Sequence, residues 1–137
     1  MKKILLIPIL IFLSYFAEAQ KAPYNVVFDV TTMDTIVHKM VVRWIKEIIQ
    51  ADPNAKIEIV FYAKSLDMIT KDKSVVASDV IKYAANKNVT FRACEVAMKS
   101  NNVEKNQLLE GVGTVPDGIY EIISKQHDGW GYIKAAR

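Results

Sequence analysis

The sequence holds a single cysteine, Cys94, in 137 residues. One thiol cannot close a disulfide within the chain, so the paired-cysteine frameworks of many small secreted domains are excluded. The thiol is therefore buried, reactive or paired between two chains. Free cysteine is among the residue types most often buried, so a packing role stays open beside a chemical one.

Glycine is also scarce, with five residues in the chain, the first of which is Gly111. Dinucleotide and nucleoside-triphosphate sites place glycines directly after the first strand, so that the backbone can approach the phosphates. The corresponding loop here, residues 31–35, contains no glycine. The sequence therefore argues against a glycine-rich nucleotide site, and we expect no cofactor.

Histidine is limited to His38 and His127, and both lie far from Cys94 in the sequence. A zinc site needs about four nitrogen, sulfur or oxygen ligands at close spacing, so we expect no metal. We expect His38 on the exposed side of a helix. A cysteine–histidine catalytic pair would require the fold to bring one of these rings to the thiol.

Charge of one sign is not in large excess, because the formal net charge is +3 at pH 7. The lysines are scattered along the chain and form no basic cluster. Nucleic-acid-binding domains carry clustered basic residues on one face. We therefore expect no nucleic-acid partner.

The N-terminus has the pattern of a secretory signal. Lys2 and Lys3 precede the apolar run Ile4–Phe16, and Ala17–Ala19 supplies a small-x-small cleavage pattern. The run is too short for a transmembrane helix, which needs about 20 residues. We expect a signal peptide at 1–19 cleaved after Ala19, a single domain at 20–137 that has no membrane contact, and a periplasmic or secreted location.

Short apolar segments alternate with helical patterns along the rest of the chain. Residues 37–49 show the clearest helical spacing, with apolar residues at i, i+3, i+4 and i+7. In the last predicted helix, Ile119, Ile122 and Ile123 form the apolar stripe that we expect to face the core. Strand–helix–strand order favours right-handed parallel crossovers. We therefore predict an α/β three-layer sandwich, with a five-stranded parallel sheet and helices on both faces.

Cys94 lies where a predicted strand, residues 89–94, passes directly into a predicted helix. In a parallel sheet this join is at the carboxyl edge, where open α/β sheets place their ligands. A helix N-terminus also favours an anion, and a thiolate is an anion. Glu95 would oppose this effect if its carboxylate turned toward the thiol. The sequence therefore makes Cys94 the candidate catalytic residue.

Other polar and conformationally restricted residues follow the predicted strands at the same edge. We predict that Asp29, Tyr62, Cys94 and Pro116 lie near one edge of the sheet, because each stands at or just after the end of a strand. The candidate pocket residues around Cys94 are Asp29, Thr31, Thr32, Tyr62, Glu95 and Pro116.

Four segments together resemble the DsrE/DsrF-like (DsrEFH) proteins. Val26–Thr32, followed by a long amphipathic helix, is similar to their first strand and loop, and Phe91–Glu95 resembles their cysteine-bearing join. Gly111–Gly118 resembles their late V-P-x-G segment, and Gly129–Lys134 resembles the ending of their small stand-alone branch. The resemblance implies a flavodoxin-like topology, with helices on both sides of the parallel sheet.

The resemblance also implies two alternatives for function. In the first, the protein is an exported sulfur carrier or transfer protein, sulfurtransferase-like if catalytic, whose Cys94 holds sulfur as a persulfide. Its partners would be a thiol-bearing protein or a small sulfur compound, and the chain would form a homo-oligomer, a trimer or hexamer. In the second, the protein is a non-catalytic ligand-binding or assembly module in which Cys94 is a packing residue.

Overall fold

The computed structural model describes residues 22–137, and the predicted signal at 1–19 lies outside the described residues. Within them, a parallel sheet contains five strands: β1 (Asn25–Val30), β2 (Lys56–Phe61), β3 (Val89–Cys94), β4 (Val112–Val115) and β5 (Gly131–Ala135). The strand order is β4-β3-β2-β1-β5. The predicted five-stranded parallel sheet is therefore confirmed.

Four α-helices connect the strands: α1 (Thr35–Ala51), α2 (Ala77–Ala84), α3 (Glu95–Ser100) and α4 (Gly118–His127). Two short 3₁₀ segments, Ser65–Ile69 and Lys105–Gln107, complete the connections after β2 and α3. The crossovers from β1 to β4 all step in one direction, whereas α4 carries the chain back across the sheet to β5. Right-handed crossovers in opposite directions place their helices on opposite faces of a sheet, and α4 indeed packs on the face opposite the other helices.

The two faces are covered unequally. The larger core packs α1, α2 and α3 against one face through side chains such as Phe28, Val41 and Ile59. On the other face a small cluster of Val27, Val60 and Ile122 lies beneath α4. The layers match the predicted sandwich, and beneath the thinner layer Thr90 and Arg92 are half-buried.

Two predictions about helix faces are wrong. His38 is buried rather than exposed, because its Nε2 lies 2.9 Å from the Thr32 carbonyl oxygen and holds the loop before α1. Ile119 and Ile123 are each 56% exposed, and only Ile122 of the predicted stripe is buried. A single helix on one face of a sheet buries one narrow side, so its other apolar residues remain at the surface.

Candidate functional site

The carboxyl ends of four adjacent strands bring the predicted edge residues together. Asp29 is the penultimate residue of β1, Tyr62 directly follows β2, Cys94 ends β3, and Pro116 directly follows β4. All four strands are parallel, so these positions share one edge of the sheet. Pro116 is exposed and marks the approach to α4.

Cys94 is the last residue of β3 and the N-cap of α3, as the strand-to-helix pattern predicts. Only 4% of its surface is exposed. The thiol nevertheless lines an open cleft of about 300 Å³ at the carboxyl edge, which we call the thiol cleft. Its lining residues are Tyr62, Ala63, Cys94, Val96, Ala97, Ser100, Asn101, Asp117 and Ile119.

The first turn of α4 approaches Cys94 because residue 118 has no side chain. A Cβ atom at Gly118 would lie 3.0 Å from the Cys94 Cβ, 3.1 Å from the Val60 Cγ1 and 3.6 Å from the Cys94 Sγ. Asp117 caps the helix, and its Oδ1 accepts hydrogen bonds from the backbone N–H groups of Ile119 and Tyr120 at 2.8 and 3.3 Å. Two helix starts, those of α3 and α4, therefore flank the thiol.

Glu95 does not point its carboxylate into the thiol cleft. Its Oε1 accepts a hydrogen bond from Thr114 Oγ1 at 2.7 Å and forms an ion pair with Lys105 Nζ at 3.0 Å. The hydrogen bond from Thr114, and then Lys105, lower the pKa of Glu95. The repulsion that an inward Glu95 would impose on a thiolate is therefore reduced, because the carboxylate is bonded elsewhere.

Asp29 is the centre of a second polar group, beside the thiol cleft. The carboxylate is buried and accepts hydrogen bonds from Tyr132 Oη at 2.7 Å and Lys134 Nζ at 3.0 Å. Lys134 also donates to Thr31 Oγ1 at 2.9 Å, and its Nζ lies 5.7 Å from the centre of the Tyr62 ring. We call Asp29, Thr31, Tyr132 and Lys134 the Asp29 group.

Tyr62 connects the Asp29 group with the thiol cleft. Burial first, and then the Asp29 carboxylate, raise the pKa of Tyr62 to about 12. The hydrogen bond to Asp29 is the main cause that raises the pKa of Tyr132 to about 12. Both phenols therefore keep their protons at neutral pH and can act as hydrogen-bond donors.

The candidate residues thus divide into separate sets. Tyr62 and Cys94 line the thiol cleft, whereas Asp29 and Thr31 belong to the Asp29 group. Thr32 has a local role, because its Oγ1 accepts a hydrogen bond from the Asp34 N–H at 3.1 Å. The predicted crevice of Asp29, Thr31, Thr32 and Tyr62 around the thiol is therefore only partly formed.

Several residues that shape this edge were not predicted from the sequence. Gly118 and Asp117 could have been suspected from the Asp-Gly pair that opens a helix, whereas Lys134 depends on the position of β5. Asn101 was also missed: its Nδ2 donates to the carbonyl oxygens of Ala63 at 2.9 Å and Ala97 at 2.7 Å. It thereby ties α3 to the loop after β2 at the rim of the thiol cleft.

Residues 22–137 show neither a metal centre nor a membrane span. No group of three or more histidine, cysteine, aspartate or glutamate side chains in this range is placed to hold a metal ion. No helix in the same range has both the length and the apolar character that a membrane span requires.

The family is decided by the sequence comparison, because the DsrE/DsrF-like family model matches residues 9–135. The chain belongs to the DsrE/DsrF-like family. No curated protein matches it. Membership places the chain in a sulfur-relay-related family.

Solved structures share the fold of this DsrE-family chain. A protein of unknown function from Methanobacterium thermoautotrophicum, MTH1491, is 27% identical with a TM-score of 0.76, over 81% of this chain and 98% of that one. BT1422 of Bacteroides thetaiotaomicron, also of unknown function, is 16% identical with a TM-score of 0.64, over 81% and 94%. YchN of E. coli is 8% identical with a TM-score of 0.67, over 82% and 98%.

Proposed function

We propose that this protein is an exported sulfur carrier whose Cys94 accepts one sulfane sulfur atom and passes it to a thiol acceptor. The observation that carries the proposal is the placement of Cys94. It joins β3 to α3, lines the thiol cleft and lies against the first turn of α4, where Gly118 allows close approach. Membership of a sulfur-relay-related family supports the same role.

The chemistry requires little besides a thiolate and space. The Cys94 thiolate attacks the outer sulfur of a persulfide donor, a new sulfur–sulfur bond forms, and the donor leaves as a thiolate that takes up a proton. An acceptor thiolate then attacks the outer sulfur on Cys94, and the Cys94 thiolate is regenerated. No net oxidation occurs in either step, so the transfer needs no redox cofactor.

The surroundings of Cys94 leave room for an added sulfur atom. Glu95 is bonded to Thr114 and Lys105, and Asp117, the carboxylate that lines the cleft, is bonded to the backbone N–H groups of Ile119 and Tyr120 at the start of α4. The thiol cleft, at about 300 Å³, is large enough for an added sulfur atom and part of the donor. Val96 and Ile119 are exposed apolar residues at its rim.

The low exposure of Cys94 favours the alternative function. A thiol that is 4% exposed reacts slowly unless the rim of the cleft opens, and burial is the ordinary state of a packing cysteine. In this alternative the protein is a non-catalytic module for binding a small ligand or for assembly, and Cys94 only fills space between β3 and α4.

Location and partners form part of the proposal. We propose that residues 1–19 direct export and are removed, which leaves the carrier in the periplasm or outside the cell. N-terminal sequencing of the exported protein should therefore begin at Gln20. The acceptor would be a thiol on a partner protein or a small sulfur compound, because the chain has no second cysteine.

We also propose that the protein forms a homo-oligomer, which is supported by exposed apolar residues on α4.

Mass spectrometry of the purified protein after incubation with a sulfane-sulfur donor tests the carrier function. The wild-type chain should gain the mass of one sulfur atom, and Cys94→Ser should gain none while remaining folded, because serine is close to cysteine in size. A thiol reagent should also modify the folded wild-type protein. If the chain never takes up sulfur and the thiol reacts only after unfolding, Cys94 is a packing residue.

A further inference from the structure

A second cleft, of about 210 Å³, lies on the α4 face of the sheet toward the amino-terminal halves of β2 and β3. We call it the basic cleft, because four cationic side chains line it together with one acid and one indole. These six residues are Lys56, Glu58, Lys87, Arg92, Lys125 and Trp130. It is separate from the thiol cleft: α4 begins against Cys94 and ends beside this second cavity.

Three of the four cations have no acidic partner within the described part of the chain. Arg92 is half-buried in β3 and its guanidinium lies over Gly113, yet it forms no ion pair among residues 22–137. Lys56 and Lys87 form none in that range either. A half-buried guanidinium beside two such lysines favours an anionic ligand, because the planar fork of arginine matches oxyanions.

The acid of the basic cleft is Glu58, which is 2% exposed. Its Oε2 accepts hydrogen bonds from Thr90 Oγ1 at 3.1 Å and Lys125 Nζ at 3.0 Å. Its Oε1 is buried and has no hydrogen-bond donor among residues 22–137. A buried acceptor without a donor is rare in folded proteins and indicates a missing partner.

The charged groups that face Glu58 come from two elements packed against each other. Lys125 of α4 lies 3.0 Å from Glu58 and 3.6 Å from Glu121, so it is shared by both carboxylates. Lys125 also forms a cation–π contact with Trp130, because its Nζ lies 4.7 Å from the centre of the indole ring. Even with Glu121 counted, cations outnumber acids around the basic cleft.

We propose that the basic cleft binds hydrogen phosphate, an oxyanion that carries its own proton. The P–OH group donates to Glu58 Oε1, and the other oxygens accept hydrogen bonds from Arg92 and the neighbouring lysines. Above the raised pKa of Glu58, where its carboxyl group is ionised, sulfate has the same shape but no proton, so one of its oxygens would face the Glu58 carboxylate unpaired. The cleft therefore selects phosphate over sulfate.

Isothermal titration calorimetry at mildly alkaline pH, where inorganic phosphate still holds one proton, tests this site on the purified wild-type protein. Phosphate should bind and sulfate should bind at least about tenfold more weakly, because a carboxylate beside an unprotonated oxyanion is repulsive. Arg92→Gln should weaken phosphate binding by about tenfold or more, since it removes a charge-assisted pair. Arg43→Gln, the same substitution at an exposed position of α1, should leave binding unchanged.

Glu58→Gln tests whether the phosphate proton, donated to Glu58 Oε1, is the source of the selectivity for phosphate over sulfate. An amide can donate to either anion, so this variant should bind phosphate and sulfate with similar affinity. If circular dichroism shows that this variant does not fold, two measurements still test the proposal: the affinity of the wild-type protein for phosphate against sulfate, and the phosphate affinity of Arg92→Gln. Absence of phosphate binding, equal wild-type affinity for the two anions, or unchanged phosphate affinity in Arg92→Gln would each overturn the proposal.

Discussion

At the scale of single residues, the contact between Gly118 and Cys94 defines the candidate site. Cys94 could be placed from the sequence, because the apolar strand and the following helix meet at that residue. Gly118 lies 24 positions later, and no local pattern shows that its missing side chain faces a thiol. The contact follows from the packing of α4 across β2 and β3.

Gly118→Ala should destabilise the protein and expose the thiol. The new Cβ would lie 3.0 and 3.1 Å from atoms of Cys94 and Val60, both on packed strands that cannot easily shift. Overpacking of this kind costs about 1–3 kcal/mol, and the better helix propensity of alanine offsets up to about 1 kcal/mol. We expect a net loss of about 1 kcal/mol in urea unfolding and faster alkylation of Cys94.

Gly131→Ala is the matched control for this prediction. The nearest atom to a Cβ at Gly131 is the Asn25 carbonyl oxygen at 3.5 Å, which is ordinary contact. The free energy of unfolding should therefore change by no more than about 0.5 kcal/mol. Equal stability and equal alkylation rates in the two variants would show that a methyl group fits between α4 and Cys94, which contradicts the close contact at Gly118.

The Asp29 group shows where prediction from sequence stops at this scale. The positions of Asp29 and Thr31 at a strand end could be predicted, but their partners Tyr132 and Lys134 come from β5, more than 100 residues later. Local patterns do not give the order of strands in a sheet. The network depends on β5 lying beside β1, which only the fold establishes.

At the scale of elements, regular apolar spacing predicted α1 well and α4 poorly. In α1 the buried residues follow the predicted stripe, with Val37, Val41 and Ile45 facing the sheet. The apolar residues of α4 exceed what one side of a helix can bury, so Ile119, Tyr120 and Ile123 remain exposed. Periodicity predicts a helix, but it does not decide which of several adjacent apolar residues face inward.

The exposed residues of α4 should support self-association. A cluster of large apolar side chains on one helix is an unfavourable surface in water and is typical of an interface. Ile123→Lys should therefore shift the protein toward the monomer in sedimentation velocity experiments. Val75→Lys, at a residue that is 53% exposed before α2, serves as the control and should keep the wild-type state.

An unchanged sedimentation coefficient for Ile123→Lys would contradict a role of α4 in assembly. Because Ile123 is 56% exposed, its replacement should not disturb the core, and circular dichroism should be unchanged. A monomeric wild-type protein at high concentration would remove the homo-oligomer from the proposed function. The carrier chemistry at Cys94 would be unaffected, since the thiol cleft is built from one chain.

At the scale of the whole molecule, the alternation of strands and helices was sufficient to predict the parallel α/β sandwich. The unequal covering of its faces was not predicted, because it results from a single crossover that returns from β4 to β5. The sparsely covered face contains Glu58, Thr90 and Arg92 beneath or beside α4. A buried carboxyl group there couples the stability of the entire fold to pH.

Glu58 should make the protein less stable as pH rises from the acid range. Burial is the main cause that raises the pKa of Glu58, and the neighbouring Glu121 carboxyl adds to it, against the opposing effect of Lys125. A group whose pKa is higher in the folded state binds more protons there than in the unfolded chain. Its stabilising contribution is complete below the unfolded pKa and is lost as pH rises through the folded pKa.

Urea unfolding across that pH range, with Glu58→Gln beside wild type, isolates this contribution. The wild-type free energy of unfolding should fall relative to that of Glu58→Gln as pH increases, because glutamine has no proton to lose. Glu47→Gln, at an exposed position of α1, should follow the wild-type profile. Asp34 and Glu95, whose pKa values are lowered, give the opposite slope in both proteins and cancel in the comparison. Parallel profiles for wild type and Glu58→Gln would mean that Glu58 is ionised throughout, with Lys125 and Thr90 compensating its burial.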